Sequence, residues 1–372
     1  MIFADLSGEL NSYKFGEKRM TSGEQLHRIG QAFGKDCGFV PAGNGHIHDT
    51  CRSTDGKWIL QRINTEIFTN PREVMENIEA VTGWIRKKLR EEGKDEKRGT
   101  LTIVPTADGA LLYEDESGCY RMYENIRGTH SVEPEERTAE EFSRAAAAFG
   151  RFQRALRDFP AETLHETIPD FHNTEKRLQH LKEAYEKAAD PERKRKAEPY
   201  YTYAVSREKL ASVVLSGIRD GSIPVAVTHN DTKINNVLFD DETGEAAAVI
   251  DLDTVMPGSR LYDFGDAVRS GAVTAAEDEK DLGKVHFDPE AYRIFLSGYL
   301  SETSDMLTEA EKKLLLQSAE LMTYECGLRF LSDYLENDIY FKTEYPEHNL
   351  VRARNQFQVL REMTACGQEA DA

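Results

Sequence analysis

The chain has little cysteine and tryptophan, and it has no long apolar run. Its 372 residues include 5 cysteines and 2 tryptophans. Without a stretch of about 18 apolar residues, a membrane span is not expected. Residues 1–6 lack the basic and then apolar regions of a secretory signal, and the cysteines show no paired spacing. We therefore expect a soluble protein in a reducing cytoplasm. The cysteines are Cys37, Cys51, Cys119, Cys326 and Cys366.

Positive charge is also scarce. Lys and Arg number 47 against 66 Asp and Glu, which gives a net charge of −19. This balance of charge argues against a nucleic-acid partner, because phosphate backbones are bound through clustered Lys and Arg. An anionic nucleotide would then have to be held locally, by Mg²⁺ and a few placed cations.

The first third of the chain has the pattern of a small sheet with helices. A short amphipathic helix is predicted over residues 21–34, and Asn70 and Pro71 predict the start of a longer one. Extended runs are separated by turn sequences, which favours hairpins over crossover units. These runs are residues 47–51, 58–63, 101–104, 110–113 and 119–125.

From residue 128 onward, helical patterns dominate. One hairpin interrupts them, at residues 236–239 and 246–252. The length suggests two units, so we predict an α+β protein with two lobes: residues 1–127 with an antiparallel sheet, and a larger helical lobe, 128–372. The predicted helices of the second lobe are residues 138–157, 174–189, 207–219, 289–301, 308–336 and 349–366.

Two polar segments flank the predicted hairpin. Residues 229–236 read HNDTKINN, and residues 250–253 read IDLD. Phosphoryl transfer requires a carboxylate that accepts a hydroxyl proton, and an Asn and an Asp that hold Mg²⁺ against nucleotide phosphates. Asp231, Asn236 and Asp251 stand in this order, so we predict Asp231 as general base and the other two as metal ligands.

Neighbouring residues receive supporting roles. Lys233 is a candidate cation for the transferring phosphoryl group, and His229 is expected to support the loop by hydrogen bonding. For Asp253, a second cation and a hydrogen bond to the loop are equally good interpretations. The triplet DFG at residues 263–265 follows too late to supply the metal ligand, so we expect Asp263 to anchor the loop backbone from a following helix.

The first lobe has a candidate nucleotide-binding turn. Gly43 and Gly45 would let backbone N–H groups approach phosphates, ahead of a strand that carries Gln61 and Arg62. Protein kinases place a lysine on the corresponding strand. With Gln61 at that position, the identity of the cation stays open. Candidate partners for it on the long helix are Glu76 and Glu79.

The motifs resemble those of the aminoglycoside phosphotransferase and choline kinase superfamily, which implies a protein-kinase-like bilobal fold. The likeness covers nearly the whole chain from about residue 38 to 363 and extends to N-acetylhexosamine 1-kinases. Its motifs are residues 45–48, 59–64, 228–236, 250–258, 261–266, 326–330 and 338–341.

That resemblance implies transfer of phosphate from ATP, with Mg²⁺, to the anomeric hydroxyl of N-acetylglucosamine or N-acetylgalactosamine. It places Asp231 at the C1 hydroxyl and assigns the sugar to His46, Arg329 and Tyr340. Two alternatives remain. One is a kinase of another small hydroxyl compound, such as an amino alcohol, homoserine or an aminoglycoside. The other is a catalytically silent nucleotide-binding module, suggested by Gln61. The oligomeric state is left open, with a monomer plausible.

Overall fold

The computed structural model describes residues 23–42 and 47–370. Its first lobe is a six-stranded sheet with two helices, and every strand pairing is antiparallel. The predicted hairpin sheet is thereby confirmed, while Gly43, Gly45 and His46 lie outside the described residues. In chain order the elements are α1 (Gly23–Ala32), β1 (Phe39–Pro41), β2 (Asp49–Ser53), β3 (Trp58–Ile63), α2 (Pro71–Glu91), β4 (Ile103–Val104), β5 (Tyr113–Asp115) and β6 (Gly118–Glu124).

The two faces of this sheet have different neighbours, because side chains alternate along a strand. The strand order is β1-β2-β3-β6-β4, with β5 also on β6. Leu60 and Met122, opposite each other in register, belong to a small core shared with Ile29 of α1. The next registered pair, Gln61 and Arg121, therefore points to the other face, toward the second lobe.

Helix α2 starts as the sequence predicts and is fixed to the second lobe. The side chain of Asn70 accepts from the backbone N–H of Glu73, and Pro71 opens the helix. Further along, Asn77 Nδ2 donates to the carbonyls of His165 (2.8 Å) and Val255 (2.9 Å). The apolar stripe that covers the main core consists of Val74, Ile78, Val81 and Ile85.

The second lobe is mainly helical, as predicted, and two small sheets interrupt it. One has the order β10-β9-β7, and the other pairs β11 with β8. Its elements are β7 (Thr129–His130), α3 (Ala139–Ala155), α4 (Thr174–Lys187), α5 (Pro191–Ser206), α6 (Val213–Asp220), β8 (Ala226–Thr228), β9 (Val237–Asp240), β10 (Ala246–Val249), β11 (Met256–Gly258), α7 (Arg260–Gly271), α8 (Pro289–Thr303), α9 (Glu309–Leu335) and α10 (His348–Ala370).

The prediction of helices in this lobe missed one helix and joined two separate elements into another. Helix α5 was missed because Pro199 lies inside it and a proline normally ends a helical pattern. The segment predicted as one helix over residues 207–219 is a 3₁₀ turn, Glu208–Ser212, followed by α6. These differences lie away from the hairpin formed by β9 and β10, which the sequence does predict.

Helix α9 is the central helix of the second lobe. It packs against α7, α4 and α10 and is buried over most of its length, including acidic residues such as Glu311 and Glu325. Although α9 and α10 have 27 and 23 residues, no helix in the described part of the chain is apolar enough to cross a membrane.

Candidate active site

Two short sheets bring the polar segments of the sequence together. Residues 229–236, the candidate catalytic loop, run from β8 to β9, and residues 250–254, the candidate metal loop, run from β10 to β11. Because β8 pairs with β11 and β9 with β10, the two loops lie side by side. The N–H of Ile250 donates to the carbonyl of Asn236 (2.9 Å) where they meet.

His229 joins the two loops. Its Nε2 donates to the carbonyl of Ile250 (2.8 Å), and its Nδ1 accepts from the backbone N–H of Asp231 (3.3 Å). This pair of bonds places the ring proton on Nε2. The rings of Phe149 and Phe152 meet the imidazole edge-on and restrict it further. The geometry suits the supporting role expected for His229.

Asp263, on α7, holds the backbone of the catalytic loop. Its carboxylate accepts from the N–H groups of His229 (2.9 Å) and Asn230 (2.8 Å) and from the side chain of Gln153. Asn230 has a φ of 65°, a conformation that costs energy in a residue other than glycine. Burial raises the pKa of Asp263. The carboxylate is thus fully engaged by the loop, as the anchoring interpretation requires.

The residues after Asp263 serve packing. Phe264 is fully buried among the rings of Phe295 and Tyr299. A Cβ on Gly265 would lie 2.4 Å from the carbonyl oxygen of Ser318 on α9, so glycine permits the close approach of α7 to α9. The DFG triplet therefore has a structural explanation that requires no metal.

Asp231 lies within the catalytic loop with a charged partner. Its Oδ1 is 2.7 Å from the Nζ of Lys233, and Asn236 Nδ2 donates to its carbonyl (2.8 Å) and to Oδ2 (3.2 Å). Burial disfavours the charge of Asp231, whereas the ammonium of Lys233 favours it through its charge and its hydrogen bond, and the pKa of the carboxyl lies well below its usual range. Asp231 is therefore ionised, with a quarter of its side chain exposed, and is able to accept a proton.

Asp251 and Asn236 fit a magnesium site. Burial, together with the charges of Asp253 and Asp231, raises the pKa of Asp251 to about 7. A divalent cation would relieve that repulsion. The amide nitrogen of Asn236 is turned toward Asp231, so its oxygen would be the atom that binds the metal. In the described residues no cluster of three or more His, Cys, Asp or Glu could hold a metal, so phosphates and waters would complete the coordination.

Asp253 pairs with side chains of the first lobe, a partnership that neither interpretation of the sequence named. The guanidinium of Arg121 on β6 binds both carboxylate oxygens, with Nη2 2.7 Å from Oδ2, and His48 Nε2 lies 2.8 Å from Oδ2. Sequence reasoning missed Arg121. A signal existed, since a lone charged residue in the otherwise uncharged run Cys119 to Tyr123 of a buried strand is rarely left without a partner.

Arg62 does not join this group. It lies on the opposite face of β3 from Gln61, with 41% of its side chain exposed, 3.5 Å from Asp49. The cation beside Gln61 is Arg121, whose Nε donates to Gln61 Oε1 (2.9 Å). The placement of Arg62 near the nucleotide phosphates was therefore wrong, because adjacent residues of a strand face opposite ways.

A row of polar side chains leads away from the catalytic loop on the other side. Asp266 accepts from the N–H of Thr232 (3.2 Å) and pairs with Arg269 (2.9 Å), which in turn pairs with Glu277 (3.2 Å). The charges of both Asp266 and Arg269 act on Lys233. The thiol of Cys326 on α9 continues the row, 3.8 Å from Glu277.

Arg329 and Tyr340 lie beyond Cys326 and contact each other. Burial raises the pKa of Tyr340 to about 12, against the influence of Arg329, which hydrogen-bonds the phenol, and of Arg177. Arg329 also lies over the ring of Phe341, at 5.6 Å. The sequence prediction that Arg329 and Tyr340 converge agrees with this placement, although Tyr340 comes from the segment after α9 and not from the helix itself.

The segment that carries Tyr340 is held by Asp333 of α9. The carboxylate accepts from the N–H groups of Tyr340 (2.7 Å) and Phe341 (2.8 Å) and from Asn349 Nδ2 (2.8 Å). Asp338, at a φ of 57°, is fixed in turn by Asn349 (2.9 Å). Tyr340 is therefore presented by a tightly bonded turn.

A two-lobed fold in which Asp231, Asn236 and Asp251 lie together beside a row of polar side chains is typical of a kinase-like phosphotransferase. The chain belongs to the phosphotransferase enzyme family (APH), whose model matches residues 38–295. The match covers more than half of the chain, including both loops.

Solved structures share this fold. A microcompartment-associated aminopropanol kinase is 16% identical with a TM-score of 0.56, and the alignment covers 90% of this chain and 93% of that one. Spectinomycin phosphotransferase in complex with ADP and its antibiotic is 13% identical, with a TM-score of 0.57 and coverage of 94% and 100%. An amicoumacin kinase with AMP-PNP and Ca²⁺ is 16% identical, with a TM-score of 0.53 and coverage of 87% and 88%.

Proposed function

We propose that this protein is an ATP- and Mg²⁺-dependent kinase that phosphorylates the anomeric C1 hydroxyl of N-acetylated hexosamines. The observation that carries the proposal is the position of ionised Asp231. It lies between the metal-ligand pair Asn236 and Asp251 and the polar row that ends at Arg329 and Tyr340.

Each half of the site has a defined task. Asn236 and Asp251 would hold Mg²⁺, which when bound neutralises charge on the nucleotide phosphates. Asp231 would orient the acceptor hydroxyl and take its proton, and Lys233, 2.7 Å away, would lie beside the transferring phosphoryl group. The structures of amicoumacin kinase with AMP-PNP and Ca²⁺ and of spectinomycin phosphotransferase with ADP support a nucleotide site in this fold.

The acceptor region is the polar row that runs from Asp266 to Arg329 and Tyr340, and its charges favour a neutral, oxygen-rich substrate. Arg269, Arg329 and Arg177 border it, and the nearby carboxylates Asp266 and Glu277 are paired with Arg269. Guanidinium groups donate well to hydroxyl and acetamido oxygens, as an N-acetylated sugar would offer. His46, assigned to the sugar by resemblance, lies outside the described residues and remains a prediction.

The second candidate is a kinase of a small amino alcohol, homoserine or an aminoglycoside, in line with the names of the aminopropanol and spectinomycin enzymes. Amines are cationic at neutral pH and are recognised by carboxylates and aromatic faces. In the acceptor region the carboxylates Asp266 and Glu277 are already paired with Arg269, which leaves neither of them to bind an amine. A silent nucleotide-binding module is disfavoured because the candidate base Asp231 and the candidate metal ligands Asn236 and Asp251 are all retained and lie together.

Coupled detection of ADP release tests these readings. The acceptors are N-acetylglucosamine, N-acetylgalactosamine, glucose, aminopropanol, choline, homoserine and kanamycin, each with and without Mg²⁺. We expect turnover with the N-acetylated sugars only. ¹H and ³¹P NMR of the product should show that the anomeric hydroxyl has been phosphorylated. Preferred turnover of an amine would establish the second candidate. No turnover with ATP still bound would establish the silent module.

A further inference from the structure

Neither β3 nor α2 supplies its member of the ion pair that usually joins strand and helix in protein kinases. Protein kinases join a β3 lysine to a glutamate of the following helix. Here Gln61 occupies β3, and α2 directs Met75 toward the sheet, with its sulfur 4.0 Å from Arg121. Glu76 and Glu79, the candidate partners from the sequence, are both exposed on α2. Neither is turned toward the sheet.

A different buried pair stands in the same region. Arg121 donates through Nε to Gln61 and through both terminal nitrogens to Asp253. His48 accepts from the N–H of Asn64 at Nδ1 (3.1 Å), so its Nε2 carries the proton that it shares with Asp253. The side chains of Arg121 and Asp253 are 2% and 4% exposed. Three bonds from the first lobe therefore converge on one carboxylate of the second.

We propose that Arg121 is the positioning residue of the metal loop, and that the Arg121–Asp253 pair replaces the strand–helix pair of protein kinases. The inference rests on the proposed nucleotide-dependent function. Asp253 follows Asp251 by two residues, within the 3₁₀ turn Leu252–Thr254. A clamp on Asp253 therefore fixes the backbone that aims the Asp251 carboxylate.

The geometry of the loop explains why a clamp is needed. Asp251 has a left-handed backbone, with a φ of 59°, a conformation that costs energy in a residue other than glycine. Behind it, Thr254 donates to the carbonyl of His229 (2.6 Å) and accepts at its own carbonyl from Asn230 (2.8 Å). Those bonds hold the far end of the loop, and Arg121 holds its middle.

The clamp also distributes charge. Asp253 is neutralised by Arg121 and Asp231 by Lys233. In the part of the chain that the structure describes, Asp251 alone of the three forms no ion pair. The cation is thus directed to Asp251, and Arg121 secures the site without being a metal ligand.

Calorimetric titration with ADP, with and without Mg²⁺, tests the role and requires no acceptor. The variants are Arg121→Met, Asp253→Asn and the double variant Arg121→Met/Asp253→Leu. The control is Arg98→Met, which removes a half-exposed arginine paired with Asp240 across the outer edge of the lobes. We expect both single variants to bind Mg²⁺·ADP about tenfold or more weakly, as for residues that orient metal ligands. The affinity of the single variants for metal-free ADP should stay within about twofold of wild type, and so should the affinity of the control variant for Mg²⁺·ADP.

The double variant separates positioning from stability. Removing both charges spares the fold an unpaired buried ion, so its unfolding temperature should exceed that of Arg121→Met while Mg²⁺·ADP binding stays weak. Recovery of binding together with stability would leave the pair only structural and overturn the inference. Normal Mg²⁺·ADP binding in the single variants, or an equal loss for metal-free ADP, would also overturn it. A wild-type protein that binds Mg²⁺·ADP but phosphorylates no sugar would refute the substrate and leave this inference standing.

Discussion

Substitution of Asp263 by alanine distinguishes a loop anchor from a metal ligand. The carboxylate accepts the N–H groups of His229 and Asn230, both buried, and the amide of Gln153. Alanine removes the acceptor and leaves two backbone donors buried without a partner. The strained backbone of Asn230, at a φ of 65°, then loses the bonds that enforce it.

The expected loss is large enough to measure. Each buried donor left without an acceptor costs about 1–3 kcal/mol, so two give roughly 2–6 kcal/mol. An unfolding entropy of about 2.1 cal/mol/K per residue over 372 residues is about 0.8 kcal/mol/K. The midpoint of thermal unfolding should therefore fall by about 3–8 °C, and turnover should fall as the loop that carries Asp231 loosens.

Differential scanning calorimetry with Mg²⁺·ADP titration provides the assay. Asp281→Ala is a suitable control, because its exposed carboxylate accepts from Gly283 N–H and its loss should shift the midpoint by less than about 1 °C. Asp263→Asn should be milder than alanine, since one oxygen remains for the loop. An unchanged midpoint with abolished Mg²⁺-dependent ADP binding would show that Asp263 is a metal ligand and refute the anchor.

The remaining predictions concern the metal and the acceptor. Asp251→Ala should abolish the Mg²⁺ dependence of ADP binding, and normal affinity in a titration with metal would refute its ligand role. Arg329→Ala should raise the KM for the sugar or lower kcat/KM with ATP binding preserved; an unaltered sugar response would make Arg329 structural. Asp333→Asn should raise the sugar KM, because one amide oxygen cannot serve all three donors; an unchanged KM would argue against positioning of Tyr340. Burial raises the pKa of Asp333 to about 6, which is above its value in the unfolded chain. The contribution of Asp333 to stability is therefore largest below about pH 4 and is lost as the pH rises through 6. If the stabilities of wild type and Asp333→Asn changed in parallel between about pH 4 and 6, this expectation would be contradicted.

Local patterns predicted the elements around the site well. The cap at Asn70 and the apolar stripe of α2 depend on residues close in sequence, and so does the hairpin of β9 and β10. The catalytic loop and Asp251 are linked by that hairpin, so their proximity could be inferred from spacing. Helix α5 could not be predicted from local patterns, because Pro199 lies inside it and its helical form depends on packing against α9.

Contacts between the lobes could not be predicted from the sequence. Arg121 and Asp253 are 132 residues apart, and no local periodicity relates them. Arg62 was chosen because it adjoins Gln61 in sequence, whereas the sheet register places Arg121 opposite Gln61. The domain boundary at residues 127/128 and the sugar assignments of His46, Arg329 and Tyr340 remain predictions.

The most direct test of the central claim is the turnover of Asp231→Ala with ATP and N-acetylglucosamine, measured beside its ADP affinity. A general base acts in the transition state. We predict that turnover falls by about a thousandfold or more while Mg²⁺·ADP affinity stays within about threefold of wild type. Turnover at the wild-type rate would contradict the assignment of Asp231 and, with it, the proposed mechanism.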